Sequence, residues 1–200
     1  MMIPATEPEA PSGRGQWTAL DSAAKRERLL TAATEVFARD GLDAPMSVVA
    51  EAAGAGVASV YRLFESKREL LAALVVRRME ALAAATEEAI AQPGGRWEAL
   101  TGMLTSVVSA QRADSLIGDA LAAVADRPDV AAAVARASEA QERLLAAARD
   151  EGRLRSDATA LDLRLLFAAT RAARRVEPDQ WQRMLELMID ALDTRRGAGR

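Results

Sequence analysis

Within nine residues, Ser59, Tyr61, Arg62 and Lys67 bring together four kinds of polar side chain. Tyr61 is the chain's one tyrosine; its phenol joins an apolar body to a hydroxyl that reaches a phosphate oxygen. The Arg62 guanidinium can grip phosphate or guanine through two donors. Lys67 adds a point charge beside a positive helix end, and the Ser59 hydroxyl can donate to phosphate or to a base edge. Just before them, Gly56, Val57 and Ala58 offer little hydrogen bonding; Val57 and Ala58 suit apolar contact with thymine methyl groups. Together these types point to a nucleic-acid backbone.

Other chemistries find less support. The chain has no cysteine and no histidine, which removes disulfides, thiolate nucleophiles, the commonest general base and the usual zinc ligands. Carboxylate pairs such as Glu87 with Glu88, Asp126 with Asp129, or Asp190 with Asp193 could in principle bind metal or move protons, but helix-borne carboxylates without histidine are ordinarily solvated surface. Gly54-Ala55-Gly56 lacks the preceding strand and the later glycine and lysine of a phosphate loop. No cofactor and no metal site is expected.

The elements that must hold the polar cluster can be read from periodicity. Leu29, Ala33, Val36 and Phe37 recur at helical spacing, and Gly41 follows a helix end, giving a helix over about 22–40. Short helices follow at Met46–Ala53 and Val57–Phe64, separated by a turn holding Gly54 and Gly56. Ser66 and Glu69 form an S-x-x-E capping box at the start of a fourth helix that runs to about Gln92. Two helices of about two turns, joined by a glycine turn and braced by a longer one, describe a helix-turn-helix whose second helix enters the major groove. Beyond "QPGG" five more helices are expected, at about 95–112, 114–125, 128–151, 158–175 and 178–194. The fold class is therefore all-α, with about nine helices. The domains are expected as an N-terminal arm without core-forming pattern over 1–20, a DNA-binding unit over 21–66 and a helical body over 67–196.

Whole-chain charge, −3 over 200 residues, argues against a polyanionic partner until it is resolved locally. Between Val57 and Arg78, five basic residues (Arg62, Lys67, Arg68, Arg77, Arg78) face two acidic ones, leaving +3 there and −6 elsewhere. The N-terminus lacks a signal-peptide pattern, and no apolar run approaches the ~20 residues of a membrane span. A cytoplasmic protein without a membrane partner is expected.

The stretch from Arg26 to Val75 resembles the DNA-binding region of the tetracycline-repressor (TetR) family of transcriptional regulators. The resemblance rests on Ala33, Phe37, Gly41, Ala50, Ala53, Gly54, Tyr61, Phe64, Ser66 and Lys67. It implies a homodimer that binds double-stranded operator DNA through its N-terminal helices, with C-terminal helices forming an effector pocket and the dimer interface. Ser59 matches the family's usual threonine, and Tyr61 and Lys67 match its phosphate-contacting positions. Ala55, Gly56 and Ala58 depart from the common valine, serine or threonine, and glycine. Base readout is then expected to lean on Ser59, Arg62, the preceding helix or DNA shape.

The body offers weaker signals. Trp97, Met103, Leu104, Val107, Leu121 and Val124, with Gln111 and Arg112 as polar handles, are candidates for a pocket wall or for plain core. Trp181, Met184, Leu185, Met188, Ile189 and Leu192 form a broad apolar stripe. With Leu163, Leu166, Phe167 and Thr170, this stripe is a candidate dimer interface or again a core face. The function expected is a DNA-binding regulator, a repressor released by a small lipophilic ligand. The alternatives are a regulator without a small-molecule ligand, or a helical enzyme or binding protein that merely contains a helix-turn-helix.

Overall fold

A computed structural model describes residues 17–109, 111–177 and 180–197, with the side chains of 111–115, 175, 196 and 197 outside the description. Ten helices are defined among the described residues: α1 Ser22–Asp40, α2 Met46–Ala53, α3 Val57–Leu63, α4 Lys67–Ala91, α5 Arg96–Ser109, α6 Gln111–Val124, α7 Pro128–Asp150, α8 Ala160–Val176, α9 Trp181–Leu192 and α10 Thr194–Gly197. Nine correspond to the nine helices that the sequence pattern predicts, with ends shifted by up to three residues, and the four-residue α10 is an addition. The chain divides into two compact units, residues 1–70 and 71–200, with the division inside α4.

In the first unit, local signals set each boundary. The Asp21 carboxylate accepts from the Ala24 N–H at 2.8 Å and so starts α1. Gly54 closes α2 in the left-handed conformation (φ 69°), which lets its N–H and that of Ala55 cap the free carbonyls of the last turn. Helix α3 ends one residue earlier than the sequence suggests, because Phe64 turns extended and is fully buried. Helix α1 packs on α2, and the Arg28 Nε donates to the Ala53 carbonyl at 2.8 Å, tying α1 to the end of α2. At the head of α4 the Glu69 N–H donates to Ser66 Oγ (3.1 Å), while the Glu69 carboxylate accepts from the Glu65 N–H (2.7 Å), one residue before the expected partner.

One expectation for this unit needs correction. Order begins before residue 21: residues 17–19 are helical, the Leu20 N–H donates to the Trp17 carbonyl, and Trp17 is buried. A lone tryptophan behind a Pro/Gly-rich stretch has no periodic partner to announce it, although burying so large a side chain is favourable by itself. Residues 1–16, Arg14 included, lie outside the described residues.

The second unit is a helical body in which α5 packs on α6, α7 and α9, and α8 packs on α6, α7 and α9. Its core is built from Trp97, Leu100 and Leu104 of α5, Leu144 and Leu145 of α7, Leu163 of α8, and Leu185 and Leu192 of α9. Buried alanines on α7 (Ala133, Ala137, Ala140, Ala148) let neighbouring helices approach closely. Helix α7 starts at Pro128, where the missing N–H is harmless. Helix α8 starts with a full capping box between Thr159 and Asp162.

A short segment after α7 fastens the body. The Glu151 carboxylate accepts from the backbone N–H groups of Arg96 and Trp97, capping α5 from 54 residues away. These bonds hold the Glu151 carboxyl below its ordinary value. Arg153 lies over the Trp97 ring (4.9 Å) and pairs with Glu98 and with buried Asp193 at 3.1 and 3.0 Å. Burial alone would raise the Asp193 carboxyl, but the Arg195 N–H and the Arg153 guanidinium outweigh it and hold the carboxyl low. Arg155 N–H to Leu192 and Thr194 N–H to Arg153 complete an isolated antiparallel bridge that periodicity does not foretell.

Candidate functional site

The second helix of the helix-turn-helix presents a continuous outer face. Val60 and Phe64 are fully buried, so the opposite side of α3 must look outward: Gly56, Val57 (42 % exposed), Ala58, Tyr61 (47 % exposed) and Arg62 are all exposed. Ser59 is half-buried at the edge, and its Oγ accepts from the Arg62 guanidinium at 3.1 Å. This bond holds Arg62 alongside the first turn instead of leaving it to swing free. Lys67 is half-buried, with its ammonium 5.6 Å from the centre of the Phe37 ring. Part of its charge is thus spent within the unit. Arg26 sits over Phe64 in the same way, 4.4 Å from the ring centre.

The basic residues between Val57 and Arg78 are divided between the two units, Arg62, Lys67 and Arg68 in the first and Arg77 and Arg78 in the second. Arg78 belongs to the second unit, where it lines a cavity. Helical spacing counts charges along the chain but cannot assign those of a 25-residue helix to one surface.

That cavity, about 440 Å³, lies within the second unit. Its walls are mainly apolar: Met79 and Leu82 of α4, Val107 and Val108 of α5, Ile117 and Leu121 of α6, Val134 and Ala137 of α7, and Phe167 of α8. Polar groups enter from Gln141, Thr170, Ser138 and four arginines, Arg78, Arg164, Arg171 and Arg174. A second cavity of about 450 Å³, more open, lies along α4 and α5 and includes Met103 and Val107.

The pocket candidates separate on this geometry. Val107 and Leu121 line the four-arginine cavity, and Met103 and Val107 the more open one. Trp97, Leu104 and Val124 line neither, being sealed among other buried side chains. Periodicity marks a residue as inward-facing but does not distinguish a filled interior from an empty one. The side chain of Gln111 lies outside the described residues.

The dimer candidates separate too. Leu163, Thr170, Leu185, Met188 and Leu192 are buried within their own chain, and Leu166, Phe167 and Trp181 pack against that core. Phe167 and Thr170 also line the four-arginine cavity. Thr170 Oγ1 donates to the Leu166 carbonyl at 2.9 Å and lies 3.1 Å from Met188 Sδ. Met184 is half-buried. The large apolar residues left outward on α8 and α9 are Leu161 (53 % exposed), Leu165 (59 %) and Leu187 (47 %), with Val176 at the end of α8. Burial of these residues within their own chain fits the core-face alternative for the stripe.

A helix-turn-helix with a polar outer face, followed by a separate helical body enclosing a cavity, is the arrangement of a DNA-binding transcriptional regulator. Residues 29–74 match the family model described as bacterial regulatory proteins, tetR family, and residues 92–194 match the model for the C-terminal domain of SbtR-like transcriptional regulators. The chain belongs to the TetR family of DNA-binding transcriptional regulators. Members of this family are non-enzymatic, which answers the enzyme alternative. No curated protein matches the sequence.

Among solved structures, the chain is similar to a TetR transcription regulatory protein of Mycobacterium vanbaalenii, with 28 % identity, 87 % of this chain and 98 % of that one covered, and a TM-score of 0.64. A TetR regulator of Streptomyces coelicolor gives 27 %, 84 %, 98 % and 0.65. A structure described as the molecular basis for control of antibiotic production by bacterial hormones gives 28 %, 87 %, 100 % and 0.68. Among the described residues, no helix is long and apolar enough to cross a membrane.

Proposed function

We propose that the protein is a homodimeric repressor that binds a palindromic operator through α3 of each subunit and leaves it when a small molecule fills the four-arginine cavity. One observation carries the ligand part of this reading: α4 begins with Lys67 in the DNA-binding unit and continues, unbroken, to Arg78, Met79 and Leu82 in the cavity wall. A molecule that prefers one position of those cavity residues therefore acts on the helix that carries Lys67. Release follows if the preferred position spoils the spacing of two recognition helices about one DNA turn, roughly 34 Å, apart. In this reading Tyr61, Arg62 and Lys67 engage phosphate, while Gly56, Val57, Ala58 and Ser59 approach the bases. The dimer forms through the exposed apolar residues of α8 and α9, where Leu161 and Leu165 are one turn apart on one face and Leu187 is on the adjacent helix. A bacterial chromosome as target implies work in the cytoplasm.

Selection of bound DNA from a random pool tests the first half: an enriched inverted repeat is expected, and an unenriched pool at low salt would sink the operator reading. Loss of the selected DNA on addition of compounds that raise the melting temperature tests the second.

A further inference from the structure

We propose that the four-arginine cavity takes an amphipathic organic anion, its acid group paired with Arg171 and its apolar body lying along Val107, Leu121 and Phe167. The inference rests on the ligand-released reading above and names the chemistry of its effector.

Seventeen described residues line the cavity; four are arginines and none is aspartate or glutamate. Two of these arginines have bonds to neutral groups. Arg164 donates to Ser138 Oγ at 3.2 Å, and Arg174 donates to the Val108 carbonyl and lies 4.9 Å from the Trp181 ring centre. Arg171, half-buried, has no hydrogen bond or ion pair with any described residue. Gln141 is 3 % exposed and lines the same cavity, and its carboxamide likewise makes no hydrogen bond to a described residue. Buried polar groups left without partners are uncommon and costly, and an unpaired cation is the costliest kind. A neutral apolar occupant would drive water from Arg171 and leave its charge uncompensated. A cationic occupant would add repulsion. An acid supplies the missing partner, and a guanidinium accepts it through two parallel bonds.

Gly118 gives independent evidence that the guanidinium is seated there. Glycine inside a helix weakens it relative to alanine, yet Gly118 stands in the interior of α6. A Cβ at this position would lie 2.5 Å from Arg171 Cζ, well inside the ordinary ~3.5 Å carbon contact. The bare backbone of α6 is the floor on which Arg171 rests. Filling that floor moves the charge without removing it.

The test uses the full chain and two isosteric pairs, dodecanoate with 1-dodecanol and 2-naphthoate with 2-naphthol, titrated by calorimetry into wild type, Arg171→Gln and Gly118→Ala. In at least one pair the acid should bind about 10- to 100-fold tighter than the alcohol, as expected for hydrogen bonds to a charged group. Arg171→Gln should bring that ratio near one with the alcohol's affinity unchanged. Gly118→Ala should lower the ratio while raising the protein's own Tm, so a loss of preference cannot be put down to a failed fold. Equal binding of acid and alcohol, a preference that survives both substitutions, or binding of none of the four probes overturns the inference. Acid binding that depends on Arg171 but leaves DNA affinity unchanged would instead sink the ligand-released reading while leaving the anion site in place.

Discussion

Replacing Arg62 by alanine tests the DNA face most directly. The side chain is exposed, lies beside Tyr61 on the outer side of α3 and is held by Ser59 Oγ at 3.1 Å, so its removal disturbs no buried contact. If each subunit's Arg62 neutralises one phosphate, the plot of log K against log salt loses about 0.9 in slope per contact, or about 1.8 per dimer. Across a fourfold rise in salt, from about 50 to 200 mM, that difference is worth about a factor of ten in salt sensitivity. Fluorescence anisotropy on the selected operator and on a scrambled duplex, over that salt range, gives both slopes. A positioning role on phosphate predicts parallel weakening on the two duplexes, whereas a role in reading guanine predicts loss of their difference. A variant whose slope matches wild type on both duplexes would refute the assignment of Arg62 to the backbone.

Three further outcomes are expected. Gly56→Ser should stabilise α3 by a few tenths of a kcal/mol, because Gly56 caps that helix at φ −79° and a Cβ there meets nothing closer than Ser59 Oγ at 4.0 Å; differential scanning calorimetry should show a small rise in Tm. Trp17→Ala should cost about 3–5 kcal/mol in urea unfolding, as for other buried tryptophans; a near-neutral value would return residues 17–20 to the arm. Acid should destabilise the body, since Glu151 and Asp193 are held below their ordinary values in the folded chain. Their contribution is complete above the unfolded values near pH 4 and is lost as pH falls through the lower folded ones. Tm measured from pH 6 down to 3 should therefore drop, and Glu151→Gln should flatten the decline.

The DNA-binding unit was readable because its signals are local. Asp21, Gly41, Gly54 and the Ser66–Glu69 pair act within four residues of the helix end they define, and Tyr61 with Phe64 carries the inward and outward sides of α3 in one turn. The body was readable only as a succession of helices. Which side of α8 faces the core, the cavity or the outside depends on what the chain brings against it, and Leu163, Phe167 and Leu165 give three different answers within five residues. The cavity had a signal that periodicity does not weigh. Arg164, Arg171 and Arg174 sit on a helix whose neighbouring positions are apolar, and Gly118 stands inside α6, which packs against it. Trp17 had no local signal at all.

The segment from Glu151 to Arg155 has a kinetic consequence. It joins the start of α5 to the end of α9 through contacts 40 to 55 residues apart along the chain. Contacts that close such long loops form late, after the helices they join have docked. Interactions absent from the transition state govern how slowly a protein unfolds and leave the folding rate nearly untouched. Stopped-flow measurements on Asp193→Ala should thus show a faster unfolding limb beside an almost unchanged folding limb. Arg153 and its partners would then act as a latch, setting how long the closed body survives.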